Sequence, residues 1–293
     1  MHIMDLNWDD LKTILHVVRA GTLTGAASTL GINYTTIARR IARAEGKLDA
    51  KLFERLSDGY HPTDIGRAAA DHAELMEAQE DALLRKIKGQ DQSLKGPLVV
   101  TAPQLLIKHH LVHVIDVFCT VHPKVELHVN AANDVLDLTR RQADLAVRIS
   151  NRPGDDLTGL RLTAQDVGIF ANRDVAARIA QAPDAPVNWV LYSQAKGIPK
   201  AALERFPNSR VRARFDDMVS MAGAAQAGLG VVRMPLFLGR AMPDLVQIPT
   251  IPAQAYADIW VVAHSDVWPS AKVTAFRKFL AEYFRKNRAV FVT

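Results

Sequence analysis

One cysteine, Cys119, in 293 residues excludes an internal disulfide framework and fits a reducing compartment. It stands beside Phe118 in a helical run, the setting of a buried structural thiol rather than a nucleophile. No stretch is long and apolar enough to span a bilayer. The opening MHIMDLNWDD has neither the basic flank nor the apolar centre of an export signal, so a cytoplasmic protein without a membrane partner is expected. Chemistry-bearing motifs are missing too. There is no phosphate loop, dinucleotide fingerprint, Gly-x-Ser-x-Gly turn or cysteine pair. His109, His110 and His113 lie close together, but no Cys, Asp or Glu completes them at local ligand spacing. Asp155-Asp156 and Asp216-Asp217 adjoin turn residues and read as caps or solvated charges. The expectation is therefore no enzyme: no catalytic residue, no cofactor and no metal. Charge of one sign is scarce as well. A net +5, from 36 basic and 31 acidic residues, is too small to identify a polyanion partner, so placement has to decide.

Placement points to residues 24–43, TGAASTLGINYTTIARRIAR. Two short helical patterns flank a break at Gly31-Ile32-Asn33. Ala26, Ala27 and Leu30 let another helix pack close, Thr24 stands where an N-cap hydroxyl is wanted, and Gly31 where a left-handed residue is wanted. Asn33 offers a second N-cap, opening a helix with Ile37 and Ile41 on its apolar side. Its other faces carry Tyr34, Thr35, Thr36, Arg39, Arg40 and Arg43. Short donors, an aromatic and arginines suit a major groove with phosphate walls, so the stretch reads as a helix-turn-helix. A helical hairpin with a solvated basic face is the plainer alternative. Arg39 is the leading base-edge reader, while Arg40, Arg43 and Arg55 supply phosphate contacts. Tyr34, Thr35 and Thr36 lie near bases or phosphates.

Asn7 caps a preceding helix with Asp9 and Asp10 in its first turn and an apolar stripe of Leu11, Ile14, Leu15 and Val18, stopping at Gly21. After the basic helix, Leu48, Leu52 and Phe53 are expected to be buried, and Ser57-Asp58-Gly59 turns a small hairpin or wing. From Thr63 to about residue 90 runs a long helix with a weak seam of Ile65, Ala69, His72, Met76, Gln79, Leu83 and Ile87. It implies either a two-stranded coiled coil or a helix folded back on its own domain. Residues 89–96, GQDQSLKG, are polar and aperiodic and read as a hinge.

Beyond residue 97, strand and helix patterns alternate. Strands are expected at 98–101, 125–130, 144–150, 168–171, 190–192, 210–215, 230–234 and 258–264. Helices are expected after Pro103, from about Asn133 and over 269–286. Such alternation implies largely parallel sheets with helices outside.

Residues 6–66 resemble the DNA-binding domain of LysR-type transcriptional regulators, on Ala26-Ala27, Leu30, Ile41, Glu45, Leu48, Leu52-Phe53-x-Arg55, and Thr63 followed by Gly66. Ala38, Ala44, Asp49 and Pro62 depart from the usual pattern. VHPKVEL and QADLAVRIS carry the resemblance into the larger half. It implies an all-α winged helix-turn-helix over 1–62 and a linker and dimerisation helix over 63–90. A hinge over 91–96 and an α/β effector-binding domain over 97–293, like a periplasmic solute-binding protein, would follow. The two effector subdomains are expected at 97–166 plus 266–293, and at 167–265. The implied partners are double-stranded DNA with an inverted-repeat operator, a small-molecule effector, and a second copy or copies in a homodimer or homotetramer. The resemblance also leaves room for contact with RNA polymerase.

Ligands of open α/β sheets settle beyond the carboxyl ends of strands, against helix N-termini. That rule selects Thr101, Ala102, Pro103 and Gln104, then Arg148 and Ser150, then Tyr192 and Ser193 with Gln194. Phe215 and Met218 follow, with Gly228 and Gly230 allowing close backbone approach. The resemblance implies that these converge on one cleft. Leu105 and Leu106 make it apolar, which favours a small organic acid with a hydrophobic or aromatic body. A transport protein and an enzyme on the same scaffold are the competing classes. The first would need an export signal, the second a reactive cluster.

Overall fold

The computed structural model describes residues 6–56, 59–131, 143–152, 154, 157–182 and 184–293. The expected turn at Ser57-Asp58, the helix from Asn133 and the pair Asp155-Asp156 lie outside the described residues. The chain divides into two compact units, 1–84 and 85–293.

The first unit opens with α1 (Trp8–Ala20), α2 (Leu23–Leu30) and α3 (Tyr34–Leu48). Asn7 caps α1 by accepting a hydrogen bond from the Asp10 amide, and Gly21 ends it in the left-handed region. Thr22, not Thr24, caps α2, accepting from the Gly25 amide. Asn33 holds the cap position of α3 without a side-chain cap bond. Gly31 and Asp49 end α2 and α3 at φ of 66° and 48°. Ile14, Val17, Ala26, Ile37, Ile41 and Leu52 fill the core between the helices. β1 (Phe53–Leu56) and β2 (Gly59–Pro62) form the antiparallel wing. Glu45 turns the chain into it, accepting from the Leu52 amide at 2.9 Å while pairing with Lys51 at 2.8 Å.

α4 runs from Asp64 to Gln90. Thr63 caps it, accepting from the Gly66 amide and donating to the Lys51 carbonyl. One side folds back on α1: Arg19 pairs with Glu74 and Glu77, and Lys12 with Glu80. The expected seam lies on the other side, where Ile65, Met76, Leu83 and Ile87 are exposed. The helix is thus packed on one side and apolar and exposed on the other.

The second unit begins in the last turn of α4. The segment expected to hinge is fastened to it. Lys88 pairs with Asp144, Asp91 pairs with Lys272, and the Asp91 carbonyl accepts from the Ala271 amide. Hydrogen bonds from the Ser93 hydroxyl and amide hold the Asp91 carboxyl down at about 2. Gly89 is packed on the backbone of Asp266.

There follow β3 (Gly96–Ala102), the short α5 (Gln104–Leu106), a π-helical turn (Ile107–Leu111) and α6 (Val112–Val121). Next come β4 (Val125–Ala131), β5 (Leu145–Ser150), β6 (Leu157–Thr163), β7 (Asp166–Asn172), α7 (Arg173–Gln181), β8 (Asn188–Tyr192), α8 (Lys200–Arg205) and β9 (Arg210–Phe215). The unit closes with α9 (Met218–Gln226), β10 (Val232–Pro235), α10 (Leu236–Arg240), β11 (Leu245–Gln247), β12 (Gln254–Ala255), β13 (Asp258–His264), α11 (Ala271–Lys286) and α12 (Arg288–Phe291). The first subdomain holds the sheet β4-β3-β5-β13-β6. The second holds β10-β7-β11 with β12 also on β7, beside the parallel pair β8-β9. Val273, Phe276, Leu280 and Phe284 of α11 are buried at helical spacing, sealing the first subdomain with Phe118.

Two expectations change. The sheets are mixed rather than largely parallel: β3 is parallel to β4 and β5, but β13 runs antiparallel to β5 and β6, and every partner of β7 is antiparallel to it. The return crossing also lies just before β13, not at 266, because β13 pairs with β5 and β6 and so belongs to the first subdomain. The crossings, at 164–165 and 256–257, are tied together: the Tyr256 amide donates to the Gln165 carbonyl, and the Gln165 side chain donates to the Ala257 carbonyl.

Gly89→Ala sets two effects of opposite sign against each other. Helix propensity favours alanine by about 1 kcal/mol, but the added Cβ would stand 1.6 Å from the Asp266 carbonyl oxygen. Thermal unfolding should find Gly89→Ala destabilised by about 1–3 kcal/mol. Gly46→Ala, on α3 with nothing within 4 Å of the new methyl, should instead be stabilised by up to about 1 kcal/mol. A stabilised Gly89→Ala would contradict the packing of this helix end.

Candidate nucleic-acid interface and ligand cleft

On α3, burial of Ile37, Ile41 and Ala44 turns the opposite faces outward. Tyr34, 48% exposed, Thr35 and Arg39 face solvent, and Thr36 is half-buried. Arg39 has no hydrogen-bond or ion-pair partner among the described residues. Thr24, in the first turn of α2, and Arg55, on the wing, are exposed as well.

Arg40 and Arg43 differ from expectation. Both are engaged by α1 rather than presented freely. Arg40 donates to Asp9 at 2.9 Å and to the Thr13 hydroxyl at 3.4 Å. Arg43 lays Nε and Nη2 against Asp10, with Nε 3.1 Å from Oδ1. Lys47 adds a second cation 3.8 Å from Asp10. The Asp10 side chain is 0% exposed, that of Arg43 42%. From sequence alone these aspartates are helix-dipole acids. Their partners, some thirty residues away, are reached only once α1 and α3 cross.

In the second unit, a cleft of about 650 Å³ opens between the two subdomains. Thr101, Pro103, Arg148, Ser150, Tyr192 and Met218, all expected from sequence, line it, as do Leu105, Leu106 and Gln194. Other expected residues lie elsewhere. Ala102 is buried in the core, Gln104 points to solvent, and Phe215 packs against the main core. Ser193 is exposed outside the cleft, its amide bonded to the Phe215 carbonyl. Gly228 and Gly230 serve a tight connection: a Cβ at Gly230 would stand 2.4 Å from the Asn188 carbonyl oxygen, and both glycines border a separate hollow of about 130 Å³. The Ser150 hydroxyl is committed to the Arg152 carbonyl at 2.6 Å.

Sequence reading missed Arg233, Tyr256 and Phe237. Arg233 stands alone among apolar neighbours in VVRMPLFL, a signal that was legible. Its guanidinium sits 5.6 Å from the Tyr256 ring centre, a cation–π distance. Arg148 and Arg233 are the charged residues among the described lining, and no carboxylate joins them.

Of the three nearby histidines, His110 belongs to the core. It packs edge-on to Phe237 and at a tilt to Phe291, with Nδ1 3.1 Å from the Tyr283 hydroxyl. Burial, reinforced by His109 and His113, lowers its pKa from 6.5 to about 4. Among the described residues no group of three His, Cys, Asp or Glu is arranged to hold a metal ion, and no helix is long and apolar enough to cross a membrane.

Two family models match the chain. "Bacterial regulatory helix-turn-helix protein, lysR family" covers residues 8–67, and "LysR substrate binding domain" covers residues 91–285. The Mau operon transcriptional activator of Paracoccus denitrificans is 26% identical over 97% of this chain and 99% of its own. The full-length structure of the Vibrio cholerae virulence activator AphB, a member of the LTTR protein family, superposes with a TM-score of 0.57 at 19% identity. It covers 95% of this chain and 100% of that one. A full-length OxyR variant from Pseudomonas aeruginosa gives 0.59 at 15% identity, covering 98% and 97%. At these identities the structural likeness is one of fold.

The buried imidazole gives stability a pH dependence of known sign. Folded, His110 stays neutral down to about 4; unfolded, it takes up a proton near its ordinary 6.5. Its contribution is therefore intact above the unfolded value and lost as pH falls through the window between them. In urea unfolding, His110→Phe should gain on the parent protein as pH falls from about 7 to about 4.5. A constant difference would contradict a neutral, buried His110.

Proposed function

We propose that this chain, which belongs to the LysR family of bacterial transcriptional regulators, binds an inverted-repeat operator in double-stranded DNA and answers to a small anionic effector. The family is one of regulators, not of enzymes. The observation that carries the DNA half is the outward face of α3. Tyr34, Thr35 and Arg39 stand exposed on a helix propped by α1 and α2. Inserted in a major groove, Arg39 reads a guanine edge, with Tyr34, Thr35 and Thr36 beside it. Thr24, Asn33 and the wing residue Arg55 approach the phosphates.

Operator symmetry needs paired heads. The exposed apolar side of α4, with Ile65, Leu75, Met76 and Leu83, supports a second copy as its partner. A homodimer, or a homotetramer built from two, then addresses half-sites one or more helical turns apart. Such a regulator works in the cytoplasm, beside the chromosome, with RNA polymerase as a further contact.

The effector half rests on the cleft. Arg148 and Arg233 supply positive charge from the two subdomains, and Leu105, Leu106 and Phe237 supply apolar walls. A small carboxylic acid with an apolar or aromatic body fits that lining. Binding to one arrangement of the subunits in preference to another is what shifts the operator complex.

In gel shifts with DNA flanking the protein's own gene, binding should exceed that to random duplex. Arg39→Ala should reduce this discrimination roughly tenfold or more; equal losses on both duplexes would remove Arg39 as a reader. In thermal-shift screens, small apolar carboxylic acids should raise the melting temperature by mass action. Their neutral amides should not, and Arg233→Met should abolish the shift. Amides that stabilise as well as acids would contradict an anion site.

A further inference from the structure

A groove-binding helix is expected to turn its cations toward phosphate. α3 carries Arg39, Arg40, Arg43 and Lys47, yet three of the four face carboxylates of α1. Arg40 and Arg43 are three residues apart and so share one side of the helix. Asp9 and Asp10 are adjacent on α1, and each takes one of them. The two pairs are unequal. Asp10 is wholly buried and engages both Nε and Nη2 of Arg43, so a phosphate drawing Arg43 away would strand a carboxylate in the core. The Asp9 side chain is 61% exposed, and Arg40 holds it through a single nitrogen. That is the more labile contact.

We propose that Asp9 and Asp10 withhold Arg40 and Arg43 from DNA phosphates, acting as built-in competitors that suppress sequence-independent binding. The inference rests on the DNA-binding reading and refines it. Each cation placed on a phosphate releases counterions and strengthens binding to any sequence alike. Two arginines held back weaken that general term and leave base reading by Arg39 a larger share of the affinity. Asp9 and Asp10 are thus specificity-determining residues that touch no DNA themselves.

The test is fluorescence anisotropy of the full chain on a random-sequence duplex across a salt series. Asp9→Asn should steepen the slope of log affinity against log salt by about 0.9, the value of one added phosphate contact. Arg40→Gln alone should leave the slope unchanged, and Asp9→Asn with Arg40→Gln should return to the parental slope. Asp10→Asn should steepen the slope likewise, and Asp10→Asn with Arg43→Gln should reverse it. Thermal unfolding without DNA checks that the Asp10 variants fold; if they do not, the Asp9 arms decide. The proposal is overturned if Arg40→Gln alone flattens the slope by about 0.9, because Arg40 then meets phosphate while paired. It is equally overturned if the Asp9→Asn gain survives removal of Arg40, which would make the acid a bare repulsive charge. A parent protein that binds no duplex at low salt overturns this inference and the DNA-binding reading together.

Discussion

A carboxylate with no exposed surface is the constraint around which the first unit is arranged. Asp10 sits at the first turn of α1, where the helix dipole favours a negative charge, but a dipole does not compensate a charge buried in a core. Compensation comes from Arg43 and Lys47 on α3. Packing of Ile14 and Val17 against Ile37 and Ile41 brings the helices together without fixing their rotation. The side-on Arg43–Asp10 contact is directional and supplies that restraint. With α3 held from behind, Tyr34, Thr35 and Arg39 are left on the outward face.

The second unit solves a different problem: a cleft whose walls come from two subdomains joined by two strands of chain. The crossings are bonded to each other through Gln165, Tyr256 and Ala257. Tyr256 also carries Arg233 on its ring. The same short segment therefore contributes to the lining and to the joint.

Much of the first unit was legible because its signals are local. Gly31 adopts the left-handed conformation expected of it, Gly21 stops α1 as expected, and Asp49 adopts the left-handed conformation that its side chain tolerates. The residues that carried the family resemblance have physical work to do: Glu45 bonds the amide that enters the wing, Thr63 ties α4 to Lys51, and a Cβ at Gly66 would meet the Leu52 carbonyl. What sequence could not supply was partnership across distance. Two threonines in TLT compete for one cap, and the helix starts after the first, Thr22. Asp9 and Asp10 look like ordinary first-turn acids until α3 crosses them. At Gly228 and Gly230 ligand approach and tight packing look alike in sequence, and only the positions of Asn172 and Asn188 separate the two. The strand at 258–264 was read correctly as a strand, but its sheet was not, because period-two alternation carries no record of the partner.

The central claim is that the propped helix, rather than any other surface, meets the duplex. Hydrogen–deuterium exchange of the full chain, with and without a duplex from the flank of its own gene, reads this peptide by peptide. The account predicts slowed exchange over α3 and the wing, greater with that duplex than with a scrambled one of equal length. Unchanged exchange across residues 33–43 with the duplex bound, or protection confined to the second unit, would contradict it.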